Sequence, residues 1–127
     1  MREVIPDVDK WLSEGKKVAI ATVVKVYGSA PRRLGAKMAV NQDSLMSGSV
    51  SGGCVENAVI EEALDALQNR RSRLLSYGIT TDQALNIGLA CGGTIEVFVE
   101  VLEPSEYARL RDDILHPRVI KTVRGKG

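Results

Sequence analysis

Lys17-Val18-Ala19-Ile20-Ala21-Thr22-Val23-Val24-Lys25-Val26-Tyr27 is apolar almost throughout and rich in β-branched side chains. A strand covered on both faces loses the apolar/polar alternation, and β-branched residues pack well on a pleated surface. The stretch therefore predicts a central, buried strand, and the chain on either side is read for what covers it. Upstream, Val4, Val8, Trp11 and Leu12 recur at helical spacing and Gly15 supplies a stop, which predicts a short amphipathic helix over Asp7 to Glu14. Downstream, Gly28-Ser29-Ala30-Pro31-Arg32-Arg33-Leu34-Gly35 breaks the strand with turn residues and puts two adjacent arginines in a loop.

Further along, Lys37 to Val40 reads as a return strand, Asn41 to Ser44 as a hairpin turn and Leu45 to Val50 as the partner strand. From Val55 to about Arg70, Val59, Ala63, Ala66 and Leu67 share one helix face. Glu56, Glu61, Glu62 and Asp65 fall early and Arg70, Arg71 and Arg73 late, a polarity that suits the helix dipole. Arg73 to Tyr77 predicts a strand broken at Gly78, after which Thr81 or Asp82 can cap a short helical turn through Leu85. In Thr94 to Leu102, Ile95, Val97, Val99 and Val101 alternate with Glu96, Phe98 and Glu100, a strand with one wetter face. Pro104 fits the first turn of a last helix carried by Tyr107, Leu110, Ile114 and Leu115 as far as Pro117, and the tail beyond reads as an edge strand or a frayed end. The expected fold is α/β, a single mixed-sheet domain over residues 1–127 flanked by helices.

Composition narrows the function classes. The 127 residues fit one compact domain, and 44% hydrophobic with 26% charged residues argues against disorder. Seventeen basic residues against sixteen acidic ones, a net charge of +1, leave no overall electrostatic footprint for nucleic acid. No apolar run approaches the length of a bilayer span, and Met1 to Asp7, charged and interrupted by Pro6, lacks the apolar stretch of a secretory signal. The expectation is a cytoplasmic protein with no membrane partner. In that compartment thiols stay reduced, so Cys54 and Cys91 are expected as free, ligating or redox-active residues rather than as a structural disulfide.

Those two are the only cysteines, and each adjoins a glycine pair: Ser51-Gly52-Gly53-Cys54-Val55-Glu56 and Ala90-Cys91-Gly92-Gly93-Thr94-Ile95-Glu96. Cys54 stands at the start of the longest helix candidate, where free amides and the dipole favour anions and a thiolate. The same amides, with the Ser47, Ser49 and Ser51 hydroxyls before them, could hold a phosphate or an oxo-anion. A blander reading stands beside this one, in which the glycine pairs shape turns or bulges and each cysteine is a small buried hydrophobe. Arg32 and Arg33, in a loop stiffened by Pro31, could clamp a phosphate with help from Lys37, or could be solvated surface charge. Glu56 and Glu96 most simply cap or face solvent, although either could orient a ligand amine. Zinc is poorly supported, since two cysteines and the single His116 fall short of four ligands, and His116 fits a helix end favoured by the dipole. No Walker A or dinucleotide fingerprint is present, and one histidine at a helix end is thin support for a serine hydrolase.

Gly28-Ser29-Ala30-Pro31-Arg32-Arg33-Leu34-Gly35-Ala36-Lys37-Met38, Gly48-Ser49-Val50-Ser51-Gly52-Gly53-Cys54-Val55-Glu56 and Gly88-Leu89-Ala90-Cys91-Gly92-Gly93 follow one another in a recognisable order and spacing. Together they resemble the amino-terminal domain of the XdhC/CoxI family, the xanthine dehydrogenase accessory proteins, over about residues 5 to 103, leaving 104–127 as terminal helix and tail. The resemblance implies a cytoplasmic, non-catalytic maturation factor. Such a factor binds molybdenum cofactor (molybdopterin), supports its sulfuration with a cysteine desulfurase, and delivers it to a molybdenum hydroxylase such as xanthine or carbon monoxide dehydrogenase. It also implies a dinucleotide-binding-like second domain, so the expectation here is a cofactor-binding half that works with a separate second-domain protein, or a subunit specialised for another cofactor or enzyme. On this reading Cys54 and Cys91 flank the molybdenum end as soft ligands, with Gly92 and Gly93 beside Cys91, and Arg32, Arg33 and the Ser51-Gly52-Gly53 amides take phosphate or oxo groups. Two competing readings are a thiol redox or persulfide-carrying protein, in which Cys91 resolves Cys54, and an interaction module whose glycines only shape turns. An exposed sheet edge or helix face predicts a homo-oligomer.

Overall fold

The computed structural model describes residues 1–28, 34–53, 55–79 and 93–116. Strands β1 (Val18–Tyr27), β2 (Lys37–Asn41), β3 (Met46–Gly48), β4 (Arg73–Ile79) and β5 (Gly93–Val101) form one sheet in the order β3-β2-β1-β5-β4, every neighbouring pair antiparallel. Among the described residues three helices accompany it, α1 (Ile5–Ser13), α2 (Glu56–Asn69) and α3 (Pro104–Leu115), with a 3-10 turn over Arg2–Val4 ahead of α1. The α/β fold class is the expected one. The apolar stretch that led to it is β1, third of the five strands.

The apolar pattern of β1 follows from what lies on its two faces. Ala19, Ala21 and Val23 join Met38 and Val40 of β2 and Ile95, Val97 and Val99 of β5 in a core closed by Val59, Ala63, Ala66 and Leu67 of α2. On the opposite face Val18, Ile20 and Ala39 are covered by Val4, Val8, Trp11 and Tyr107. Only the first half of β1 is covered twice, and there the alternation disappears.

A bulge then resets the strand. Val23 pairs with Val97 and Lys25 with Glu96, so Val24 is an extra residue without a partner in β5. Since side chains alternate with period two, one inserted residue exchanges the faces. Val26 therefore packs on the α2 side with Ile95, its partner across the ladder. Without the bulge Lys25 would follow Ala19, Ala21 and Val23 into the apolar interior.

Most expected boundaries hold within a residue or two. The exception is Gly78, expected as a break: β4 continues through it to Ile79, because Gly78 and Ile79 keep their pairing with Thr94 and Gly93. An edge strand tolerates a glycine that a central one would be weakened by. The helix turn expected around Thr81, Asp82 and Leu85, and the tail beyond His116, lie outside the described residues. Helix α3 carries Pro104 in its first turn, as expected. It is clasped to α1 by Asp9, which accepts the Tyr107 hydroxyl at 2.6 Å and Arg111 Nε at 3.0 and 2.9 Å. Burial and the adjacent Asp9 carboxylate push the Tyr107 hydroxyl's pKa up.

Candidate functional site

The described flanks of the three glycine-bearing stretches lie toward one end of the sheet. There β1 finishes with Tyr27 paired to Thr94, and β4 finishes with Ile79 paired to Gly93. The return chain joins β1 through Gly35 N–H to the Val23 carbonyl (2.8 Å) and Val23 N–H to the Ala36 carbonyl (2.9 Å). Beyond β3, Ser49 N–H reaches the Lys37 carbonyl at 3.2 Å, which brings the Gly48–Gly53 segment to the same end. Arg32, Arg33, Cys54, Cys91 and Gly92 lie outside the described residues, as do 29–31 and 80–90. Their described neighbours, Gly28, Leu34, Gly53, Val55 and Gly93, are all at this end.

Gly48 opens the segment at φ +79, and a Cβ there would sit 2.5 Å from the Lys37 carbonyl oxygen and 2.7 Å from Val4 Cγ1, so both backbone and space demand glycine. Gly53, at φ +113, has nothing within 4 Å of its Cβ position and faces open space. Between them the chain wraps around one carboxylate. Oε2 of Glu56 accepts the Ser49 hydroxyl at 2.7 Å, Val50 N–H at 3.1 Å and Ser51 N–H at 3.0 Å. Oε1 accepts the Ser51 hydroxyl and, at 2.9 Å, Gly53 N–H. Two further bonds complete the knot: Gly52 N–H donates to Ser49 Oγ (2.8 Å) and Val55 N–H to Ser51 Oγ (2.9 Å). Glu56 is only 6% exposed. Burial pushes its pKa up, but the hydrogen bonds from the Ser51 and Ser49 hydroxyls and the Ser51 and Val50 amides outweigh it and hold the carboxyl at about 2.

This geometry changes the roles that the sequence suggested. The Ser51, Gly52 and Gly53 amides, expected to bind a ligand's phosphate or oxo groups, are all engaged inside the loop, with the Glu56 carboxylate where an external anion was anticipated. Ser49 and Ser51 hydroxyls turn inward to it as well. Glu56 thus caps, as one of its two simple readings had it, but is buried rather than facing solvent. The signal was present in the sequence: a serine-rich stretch followed by an acid at a helix start, the pattern by which a carboxylate reaches back to orphan amides. Glu96 lies half-buried on the wetter face of β5, opposite Lys25. Lys37 Nζ donates to Thr22 Oγ1 at 2.8 Å on the sheet face away from α2. His116 follows α3, its N–H on the Asp112 carbonyl, and among the described residues no group of three or more His, Cys, Asp or Glu could hold a metal ion.

Two hollows lie at the other end of the sheet. One of about 320 Å³ is lined by Lys17, Gln42, Leu64, Leu67 and Gln68, and one of about 210 Å³ includes Lys16, Arg70 and Glu103. The cations of the second already face Asp43 and Glu103 in exposed ion pairs. Neither hollow touches the glycine-bearing loops.

Fold and site define a small α/β domain that presents loops, rather than a cleft between helices, at one end of an antiparallel sheet. The chain belongs to the XdhC and CoxI family, whose model matches residues 11–78. It is 39% identical over 95 residues to the molybdenum cofactor insertion chaperone PaoD of Escherichia coli K12, a match covering 75% of this chain and 30% of that protein. It is 29% identical over 120 residues to a probable xanthine dehydrogenase subunit of Bacillus subtilis 168, covering 91% and 36% respectively. A crystal structure of a xanthine dehydrogenase from Bacillus halodurans superposes with a TM-score of 0.65 at 26% identity, over 84% of this chain and 32% of that one. The chain therefore spans about a third of the length of these relatives. Among the described residues, no helix is long and apolar enough to cross a membrane.

Proposed function

We propose that this chain is a molybdenum cofactor-handling domain that binds the cofactor as cargo and passes it to a molybdenum hydroxylase of the xanthine or carbon monoxide dehydrogenase type, without catalysing a reaction of its own. The observation that carries this reading is that the described flanks of all three stretches that bear Arg32, Arg33, Cys54, Cys91 and Gly92 lie toward the same end of the sheet. The name of PaoD supports the choice of cargo. The donor set fits it in kind: thiolates of Cys54 and Cys91 suit molybdenum or its sulfur ligands, and a pair of arginines suits a phosphate.

The internal bonding of the Ser51–Gly53 loop divides the labour. With its amides held by Glu56 and Ser49, this loop adds no anion grip, so the anionic end of the cargo falls to Arg32 and Arg33. Gly52 and Gly53 instead leave an exposed surface without side chains beside position 54, and Gly93 begins β5 at the same end. Sulfuration of the cargo by a cysteine desulfurase belongs to the same proposal.

The test is direct binding. Purified chain is mixed with free molybdenum cofactor, unbound material is removed, and retained metal and pterin are measured separately. About one equivalent of each is expected, with Cys54→Ala, Cys91→Ala and a combined Arg32→Ala/Arg33→Ala variant each retaining at least about tenfold less at limiting cofactor, as loss of a charge-assisted or metal contact implies. A parent protein that retains neither metal nor pterin, or cysteine variants that retain both as well as the parent, overturns the reading.

A further inference from the structure

The two edges of the sheet are not alike. At one edge β3 is three residues long, Met46–Gly48, too short to template another strand. At the other, β4 runs for seven residues, Arg73–Ile79, and among the described residues β5 alone pairs with it. Neither face of β4 is fully covered. Helix α2 packs mainly over β1 and β5, leaving Leu75 and Tyr77 half-buried, and on the opposite face Leu74 is 59% exposed beside half-buried Phe98, its partner in β5. The strand carries none of the devices that usually blunt an edge, neither proline nor lysine nor bulge.

The chemistry of this edge matches itself. Its single charge, Arg73, is turned toward α2 and neutralised by Glu62 at 2.9 Å and by Asp65. A charged partner would therefore find nothing to read, whereas two copies would meet without repulsion. In an antiparallel pairing of β4 with its own copy, the register that joins all seven residues has its two-fold axis at Ser76. Leu74 then lies opposite Gly78 of the second copy, where the Cβ position has nothing within 4 Å. Leu75 lies opposite Tyr77 on the α2 side, an aliphatic–aromatic cross-strand pair. The two Arg73 side chains are carried to opposite ends of the ribbon, and Ser76 meets Ser76.

We propose that β4 is the contact through which two copies of this chain associate, antiparallel about Ser76, to make one continuous sheet. One added strand pair with a few half-exposed side chains falls at the low end of specific interfaces, below about 1,200 Å² in total, so the dimer dissociates at micromolar concentrations. The contact is independent of the cofactor reading, and its test involves no cofactor.

Sedimentation of the full chain from about 1 to 200 µM measures the association, a range that brackets a micromolar constant. A monomer–dimer equilibrium is expected for the parent. Ser76→Lys, on the exposed face of the strand, places two like charges directly across the axis and weakens it at least about tenfold; Ser76→Glu does the same. An equimolar mixture of the two variants restores the parent's association, which also shows that both are folded. A parent that stays monomeric throughout, variants that associate as tightly as the parent, or a mixture that remains monomeric overturns the proposal.

Discussion

Replacing Glu56 by glutamine removes the charge at the centre of the Ser49–Gly53 knot while nearly preserving its shape, and the structure sets the cost. The carboxylate accepts from five donors, three of them backbone amides that cannot turn away. A glutamine whose oxygen takes the Oε2 position keeps the Val50 and Ser51 amides but points an NH2 group at Gly53 N–H; in the flipped orientation two amides are orphaned instead. At least one buried backbone donor goes unpaired, at about 1–3 kcal/mol, and the surviving bonds lose their charge assistance. The carboxyl's own acidity gives a second route to the magnitude. Its fall from the ordinary 4.5 to about 2 is worth about 3 kcal/mol at neutral pH, at roughly 1.4 kcal/mol for each pH unit. Both routes place Glu56→Gln about 3 kcal/mol below the parent at pH 7, a large part of a small domain's stability. Urea unfolding followed by the fluorescence of Trp11, the single tryptophan and buried in the core, measures it. The pH dependence supplies the sharper check. Because the folded-state pKa lies below the unfolded one, the stabilisation is complete above about 4.5 and is lost as pH falls toward 2, whereas glutamine does not titrate. The gap between parent and variant should therefore close across that window. A gap within about 0.5 kcal/mol at pH 7, the size of an ordinary surface substitution, or one that does not narrow in acid refutes the account.

Three further outcomes probe the frame around the site. Gly48→Ala adds a Cβ 2.5 Å from the Lys37 carbonyl at φ +79 and should cost at least about 2 kcal/mol in the same urea titration, with an unaffected midpoint counting against the geometry. Tyr107→Phe removes the hydroxyl bonded to Asp9 but leaves Arg111 on that carboxylate, so a loss of about 1–2 kcal/mol is expected, measured as a lower unfolding midpoint. Deleting Val24 removes the extra residue and leaves the pairing of β1 with β5 as it is, Lys25 opposite Glu96 and Val26 opposite Ile95, so circular dichroism should show a chain that still folds with a midpoint near the parent's, and a chain that fails to fold counts against the bulge assignment.

Much of this architecture was legible because the relevant signals are local. The unbroken apolar run of β1, the alternation of β5 and the spacing of Val59, Ala63, Ala66 and Leu67 on α2 each record burial on a particular face. Two features were hidden for a shared reason: they depend on what another segment does. Gly78 looks like a strand end until its pairing with Thr94 is known, and Val24 looks like one more β-branched residue until the register across β5 shows it to be the extra one. At the site, the sequence marks Ser49, Ser51, Gly52 and Gly53 as donors ahead of a helix. What the composition could not say was which anion their donors serve. A ligand and a neighbouring side chain make equal demands on an amide, and only the fold shows that Glu56 takes five of these donors and Ser49 the Gly52 amide.

That choice bears on how the domain would work. A loop organised by an external anion is ordered only when the anion is present, whereas one organised by its own buried carboxylate is set before any ligand arrives, so the ordering entropy is not charged to binding. It also leaves the loop amides no free donor for a ligand's phosphate, a task that on the proposed function falls to Arg32 and Arg33. For cargo that has to be received and then released, such a division is useful. Preorganisation speeds and orients docking, while the amides of the Val50–Gly53 loop are withheld from any external anion. On the proposed function, the grip would then rest on two arginines and two thiolates, contacts that a client enzyme can replace one by one. On that proposal, the carboxylate at position 56 favours a carrier over a sink.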